Sequence, residues 1–140
     1  MTDLSYDEEM SLRFQSICVD SINPAPLAAF WREVLGWRQT NADADEIVLE
    51  PLEGSREDGV VPDLLFLRVH NEKTSKSRLH IDLRPSDQLA EVERILALGA
   101  TRVDVGQPPD CTWVVLGDPE GNEFCVLRPF TETELQSLVK

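Results

Sequence analysis

One of the two histidines is followed two residues later by an aspartate, a spacing that suits metal binding or proton transfer. His80 and Asp82 stand two residues apart in segment 78–84, where polar and apolar residues alternate. Residues two apart on a β-strand point to the same face, so the imidazole and the carboxylate would lie side by side. Such a pair can supply a metal ligand, or a general base that the carboxylate orients. The alternatives are a buried histidine hydrogen-bonded to its neighbour, or an ion pair between Asp82 and a flanking arginine, and the residue types leave them open.

The three cysteines are Cys18, Cys111 and Cys125, an odd number with no C-x-x-C pair. This pattern argues against a disulfide framework and favours a reducing, cytoplasmic location. The alternation of their predicted strands turns Cys18 and Cys125 toward the side that carries His80 and Asp82. The two thiols would then be ligands for a soft metal ion. Buried cysteines are more often small apolar core residues, which is the alternative.

Other side chains are placed to bind a ligand. Phe66 and Trp113 lie on predicted strands, and aromatic walls are common in ligand pockets. Arg78 belongs to a basic run within positions 68–84. A basic rim would attract an anionic ligand to this acidic chain. In a solvated loop the same charges would only balance nearby acids, so both interpretations stand.

Composition limits the class of protein. The chain has 140 residues, 41% of them apolar, and a formal net charge of -13. A chain of this length forms one domain with a core of its own. Its charge argues against nucleic-acid and anionic-membrane partners, which need a positive surface. There is no apolar run of about 20 residues and no basic, apolar leader at the start, so neither a membrane span nor a signal peptide is expected.

Periodicity divides the chain into two similar modules. Residues 1–11 predict a flexible acidic arm, and 12–130 predict one domain with modules at about 12–70 and 78–130. Each module begins with a strand, continues with an amphipathic helix and ends with about three strands, which gives the plan β-α-β-β-β. Residues 131–140 predict a C-terminal helix, with Thr131 and Glu134 spaced as a capping box. The predicted fold class is therefore α+β, a curved mixed sheet with helices on its outer face.

The predicted boundaries follow local signals. Asn23 and Pro24 begin the first helix, and Gly36 ends it. In the strand at 78–84, Leu79, Ile81 and Leu83 form an apolar face that would cover a helix. The remaining predicted strands are 37–40, 46–50 and 64–69 in the first module, and 101–105, 112–116 and 123–128 in the second.

Four motifs in order resemble the glyoxalase-like branch of the vicinal oxygen chelate superfamily. They are LAAFW with LGW (27–37), RLHIDL (78–83), LGAT (98–101) and DPEGNEF (118–124). The superfamily includes glyoxalases, extradiol dioxygenases and bleomycin-resistance proteins. The resemblance implies a concave sheet that binds a small molecule, and it is compatible with a homodimer.

The resemblance also implies positions for a metal. Enzymes of this superfamily hold a divalent ion with one side chain from each of four strands. In this sequence those positions fall at or near Ser16, Leu67, His80 and Cys125. His80 and Cys125 are possible ligands, whereas Ser16 and Leu67 leave the usual set incomplete. No cofactor is therefore expected, and a divalent metal is the less favoured alternative.

The function expected from these observations is small-molecule binding. If the chain is an enzyme, the resemblance implies lyase, isomerase or dioxygenase chemistry, with His80 as the catalytic residue and Asp82 orienting it. The alternative is a ligand-sequestering protein without chemistry, like bleomycin-resistance proteins. Fold alone does not decide between them.

Overall fold

Residues 12–138 are described by a computed structural model, and they form the two predicted β-α-β-β-β modules. The α+β class is confirmed. The expected acidic arm, residues 1–11, lies outside the described residues. The first module contains β1 (Ser16–Ser21), α1 (Pro24–Leu35), β2 (Arg38–Ala42), β3 (Glu46–Glu50) and β4 (Asp63–Arg68). The second contains β5 (Ile81–Leu83), α2 (Gln88–Ala97), β6 (Thr101–Arg102), β7 (Val114–Gly117) and β8 (Glu123–Val126), and α3 (Glu132–Leu138) follows.

The strands of each module form one four-stranded mixed sheet. The order is β1-β4-β3-β2 in the first sheet and β5-β8-β7-β6 in the second. In both sheets the edge strand that opens the module runs parallel to the last strand, and the other pairs are antiparallel. The strands therefore hydrogen-bond as two separate sheets of identical topology, not as one continuous sheet, and no barrel closes.

One hydrophobic core serves both modules. It contains the apolar stripe of α1, the buried face of α2 and one face of each sheet. At its centre the ring of Phe124 lies 4.8 Å from that of Trp31 and 6.3 Å from that of Phe30, both in edge-on contact. Because each sheet buries one face in this core, its other face lies on the side away from the core. We call these faces, which are opposite to the helices, the outward faces.

Hydrogen bonds across the modules hold this arrangement. The buried carboxylate of Asp118 accepts a bond of 2.9 Å from the indole N–H of Trp31. The carboxylate of Glu120 accepts bonds from the Ser21 hydroxyl and from the backbone N–H of Ile22, at 2.9 Å. Asn23 occupies the predicted cap position of α1, but its side chain makes no capping bond. Glu120, from the β7–β8 turn, instead accepts the N–H groups of Ile22 and Asn23, which directly precede α1.

Two predicted strands are much shorter than their sequence pattern. The strand predicted at 78–84 is reduced to Ile81–Leu83, the residues that pair with Phe124–Val126 of β8. Leu79 is consequently 87% exposed and does not cover a helix. The strand predicted at 101–105 ends at Arg102. Beyond it the side chains of Gln107 and Asp104 accept the N–H groups of Val105 and Gly106, which a sheet would otherwise pair.

The chain ends in a capped helix. The Thr131 hydroxyl accepts the N–H of Glu134, and the Glu134 carboxylate accepts the N–H of Thr131. This is the reciprocal arrangement of a capping box. Among residues 12–138, no helix has the length and apolar character needed to cross a membrane.

Candidate functional site

Three side chains with metal-binding or proton-transfer chemistry meet on the outward face of the second sheet. Asp82 and Cys125 are direct partners in the parallel pair β5–β8. His80 precedes β5 by one residue and shares the side of Asp82, with 3.3 Å between its Nε2 and Asp82 Oδ1. One donor atom from each of the three residues lies within 4.8 Å of the others. Of the four residues whose side chains were predicted to converge, these three lie together and Cys18 does not.

The environment of the three groups differs. The side chains of His80 and Asp82 are 46% and 50% exposed, whereas Cys125 is buried. Burial raises the pKa of the Cys125 thiol, and the adjacent Asp82 carboxylate raises it further by repelling a thiolate. The thiol is therefore protonated at neutral pH and is a poor nucleophile unless a cation binds beside it.

A pocket of about 290 Å³ opens beside the three groups. Its apolar wall consists of Val105, Trp113, Val115 and Leu127. Its polar wall consists of Lys76, His80, Asp82, Glu123 and Cys125. We call it the second-module pocket. Trp113 is the partly exposed tryptophan of the chain, whereas Trp31 and Trp37 are buried in the core.

Glu123 fixes one end of the pocket. Its carboxylate accepts the N–H of Ser77 at 3.1 Å and lies 3.4 Å from the ammonium of Lys73. Burial raises the pKa of Glu123, but the bonds from Ser77 and Lys73 outweigh this effect and lower the pKa to about 2. The carboxylate is therefore a permanent anion that anchors the segment between the modules, including Lys76, at the pocket edge.

The other predicted ligand-binding residues lie elsewhere. Phe66 is fully buried in the core, because its position on β4 faces inward together with Leu64. Cys18 is exposed on the outward face of the first sheet and does not line the second-module pocket. Arg78 is exposed and does not line it either. Phe66 therefore lies on the buried face of its sheet, Cys18 lies on the other sheet, and Arg78 precedes β5, so none of the three lines this pocket.

Two charged residues of the pocket, Glu123 and Lys76, were not among the predicted site residues. Glu123 has the same parity on β8 as Cys125, so the alternation that identified Cys125 also indicated Glu123. Lys76 lies in an irregular segment, and no local signal places it at the pocket. Two of the four positions that the superfamily resemblance gives for a metal, Ser16 and Leu67, belong to the first sheet. The other two, His80 and Cys125, belong to the second module.

The donor set fits a borderline or soft divalent ion such as Zn²⁺. Imidazole nitrogen, carboxylate oxygen and thiolate sulfur are all zinc ligands, and three protein ligands with one open position are typical of catalytic zinc. Without a metal, the 3.3 Å between His80 Nε2 and Asp82 Oδ1 is short enough for the carboxylate to pair with the imidazole, and an imidazole is a common group for proton transfer.

The chain belongs to the glyoxalase-like domain family. The family model matches residues 16–127, which span both modules and include every residue that lines the second-module pocket. No curated protein sequence matches the chain.

Solved structures agree on the fold. A glyoxalase/bleomycin resistance/dioxygenase family enzyme from Burkholderia phytofirmans PsJN is 18% identical with a TM-score of 0.62, over 83% of this chain and 98% of its own. The fosfomycin resistance protein FosX from Listeria monocytogenes, in complex with Mn(II) and 1S,2S-dihydroxypropylphosphonic acid, is 14% identical with a TM-score of 0.64 over 92% and 99%. The bleomycin-binding protein from Streptomyces verticillus is 15% identical with a TM-score of 0.54 over 85% and 99%. At these identities the likeness establishes the fold alone.

Proposed function

We propose that the chain binds a small organic molecule in the second-module pocket. The observation that carries the proposal is the meeting of an apolar wall, Trp113 and Leu127, with the polar pair His80 and Asp82. Ligand sites combine mainly apolar walls with a few polar groups that fix orientation. The volume of about 290 Å³ lies near the lower end of such sites and favours a compact molecule with one hydrogen-bonding group.

Thermal unfolding against a panel of compounds tests this proposal. Fosfomycin and bleomycin, named with the structural relatives, belong in the panel beside small aromatic acids, amines and alcohols. A ligand at a hundred times its Kd stabilises the native state by about 2.7 kcal/mol, which raises the melting temperature by several degrees. Trp113→Ala should abolish that rise, whereas Leu135→Ala, at an exposed leucine on α3, should retain it. An equal rise in both variants would place the ligand elsewhere.

The same experiment separates an enzyme from a sequestering protein. Turnover of a bound compound, followed by NMR of the compound itself, would support lyase, isomerase or dioxygenase chemistry. His80 is then the group that moves the proton, because the Cys125 thiol has a raised pKa. His80→Ala should remove turnover and leave binding within an order of magnitude. Binding with no chemical change would support sequestration.

A divalent metal is the second part of the proposal. The observation that favours it is the closeness of donor atoms from His80, Asp82 and Cys125. When bound, the ion would polarise an oxygen of the ligand, and the thiol would lose its proton to become a ligand. Titration with Co²⁺ should produce a thiolate-to-cobalt charge-transfer band in the near ultraviolet. Cys125→Ser should abolish the band and Cys18→Ser, at the exposed cysteine, should not. Absence of the band in the unmodified chain would rule out this ligand set.

A homodimer also stays a proposal. The second-module pocket is open at His80 and Asp82, and a second copy laid over it would enclose the ligand. Sedimentation across a range of concentrations, with and without a bound compound, tests this. A single monomeric species in every condition would contradict it.

A further inference from the structure

The charged side chains around the second-module pocket differ in whether they already have a partner. Glu123 accepts the N–H of Ser77 at 3.1 Å and lies 3.4 Å from the ammonium of Lys73. Asp82 lies 3.3 Å from the imidazole of His80. Both acidic groups that line the pocket therefore have a basic group beside them.

Lys76 lines the same pocket and lacks such a partner. Within residues 12–138 it forms no ion pair with a carboxylate. In that part of the chain, its ammonium makes one long hydrogen bond, of 3.4 Å, to the carbonyl of the adjacent Ser77. A lysine ammonium has three donors, so two remain for a bound molecule. The unpaired charge of the pocket is therefore positive.

The backbone beside Lys76 is held against the second sheet. The N–H of Ser77 donates to the Glu123 carboxylate, and the Ser77 hydroxyl accepts the N–H of Glu123 at 3.4 Å. These bonds fasten the residue after Lys76 to the first residue of β8, while the Lys76 side chain itself stays exposed. A ligand that pairs with Lys76 therefore orders one side chain and not a loop, which limits the entropy cost of binding.

The apolar part of the lining completes the pattern. It consists of Val105, Trp113, Val115 and Leu127. Trp113 is 37% exposed, so its ring is available to a bound molecule, and aromatic rings and branched alkyl groups pack well against an indole. An apolar wall combined with one unpaired cation suits a molecule that has an apolar body and one anionic group.

We propose that the second-module pocket selects carboxylic acids with a single negative charge and an aromatic or branched apolar body. The carboxylate pairs with Lys76 and the body packs against Trp113. This inference rests on the proposed function, because it names the class of ligand for the same pocket. In a volume of about 290 Å³ a second negative group would lie close to Glu123 or Asp82 and be repelled. Dicarboxylates and doubly charged phosphonates should therefore bind more weakly.

The net charge of the chain acts on such a ligand mainly at long range. The charge of -13 belongs to the whole molecule, and charges more than about 8 Å apart are largely screened at physiological ionic strength. Segment 70–80, which carries Lys76, contains three basic residues and one acidic residue. The net charge should slow the approach of an anion, whereas the contact with Lys76 sets the preference once the ligand is bound.

Amide NMR titrations with ligands of similar shape and different charge test the proposal, in a buffer with EDTA so that no divalent ion takes part. Phenylacetate should shift the amides of Val115 and Leu127. It should bind about three- to fivefold more tightly than neutral phenylacetamide, the effect of one ion pair that stays partly open to solvent. Phenethylamine, a cation, and phenylmalonate, a dianion, should bind more weakly than phenylacetate. Added NaCl should lower the affinity of phenylacetate and leave that of phenylacetamide unchanged.

Substitutions in segment 70–80 locate the effect. Lys76→Gln should lower the affinity for phenylacetate by the same three- to fivefold and leave phenylacetamide unchanged, whereas Lys76→Arg should retain the preference. Arg78→Gln removes the same charge from an exposed residue that does not line the pocket, and it should leave both affinities unchanged. Because Lys76 is exposed, its substitution should leave the fold intact.

The outcomes separate this inference from the proposed function. The inference is overturned if phenylacetate and phenylacetamide bind equally at Val115 and Leu127, or if Lys76→Gln binds phenylacetate as the parent does. An equal loss in Arg78→Gln would show a general effect of charge and would also overturn it. If phenylacetate gives no saturable shifts there while another compound of the thermal panel does, this inference alone fails. If no compound shifts those amides, the proposed function fails with it.

Discussion

The two modules share one topology and differ in what their outward faces carry. In the first sheet the parallel pair β1–β4 sets Cys18 opposite Leu65. In the second sheet the equivalent pair β5–β8 sets Asp82 opposite Cys125, with His80 beside them. The backbone thus offers two similar positions, and only one of them holds side chains for proton transfer or metal binding. Residue type, not topology, decides which half of the molecule carries this group of side chains.

The modules also differ in how their helices are capped. α2 begins with its own cap, because the Asp87 carboxylate accepts the N–H of Ala90 at 3.0 Å. α1 has no side-chain cap of its own, and Glu120 of the second module accepts the N–H groups of Ile22 and Asn23 just before it. At the C-terminal end of α1, the Arg94 side chain of α2 donates to the carbonyl of Val34 at 2.9 Å. The first module therefore depends on the second more than the reverse.

The largest expected effect comes from breaking the core that joins the modules. Phe124→Ala removes a buried ring in contact with Trp31 and Phe30. It should lower the free energy of unfolding by about 3–5 kcal/mol, through lost burial and the cavity left behind. Phe14→Ala, the same change at an exposed ring, should cost far less. Urea unfolding measures both, and equal losses would show that the modules do not share one core.

A slightly smaller effect is expected at Asp118. Its buried carboxylate accepts the indole N–H of Trp31 and, at 2.9 Å, the side-chain amide of Asn122. Asp118→Ala leaves those donors without an acceptor and should cost about 3 kcal/mol. Asp104→Ala, in an exposed loop of the same module, should cost less than about 1 kcal/mol. Calorimetry of the two variants would contradict this account if their melting temperatures agreed.

Local sequence signals predicted the plan of the molecule well. The stripe on α1, the ends of the helices and the capping box at Thr131 depend on neighbours in the chain, so the sequence contains them directly. The faces that Asp82 and Cys125 occupy were also predictable, because the alternation of a strand is a local property. Their meeting depends on the pairing of β5 with β8.

The features that the sequence did not predict depend on contacts between residues far apart in the chain. The extent of β5 depends on its pairing with β8, and Leu79 lies outside the paired residues and is exposed. The face that Phe66 occupies depends on the packing of β4 against α1, and the acceptor for the N–H of Ile22, just before α1, is Glu120, 98 residues away. None of these follows from a window of neighbouring residues.

The pH dependence of the free energy of unfolding should reveal the contribution of Glu123, at the edge of the second-module pocket. The Glu123 pKa is lowered to about 2 from an ordinary 4.5, so its bonds to Ser77 and Lys73 stabilise the fold above pH 4.5 and are lost as the pH falls toward about 2. Glu123→Gln should be about 1–3 kcal/mol less stable at neutral pH, and the difference should shrink over that acid range. Glu93→Gln, at an exposed position of α2, should follow the parent at every pH. Parallel curves for Glu123→Gln and the parent would contradict the role given to this carboxylate.

The smallest effects test the asymmetry of helix capping. Asp87→Ala should cost about 1 kcal/mol, the usual loss of a side-chain cap. Glu120→Ala should cost about 2 kcal/mol, because it also leaves the buried Ser21 hydroxyl without its acceptor. Hydrogen exchange locates each effect. Asp87→Ala should speed exchange at the start of α2 alone, whereas Glu120→Ala should speed it at Ile22 and Asn23, just before α1, in the module that does not contain the substitution. If exchange in Glu120→Ala rose only in its own turn, the first module would be capped independently, and its dependence on the second would reduce to the shared core.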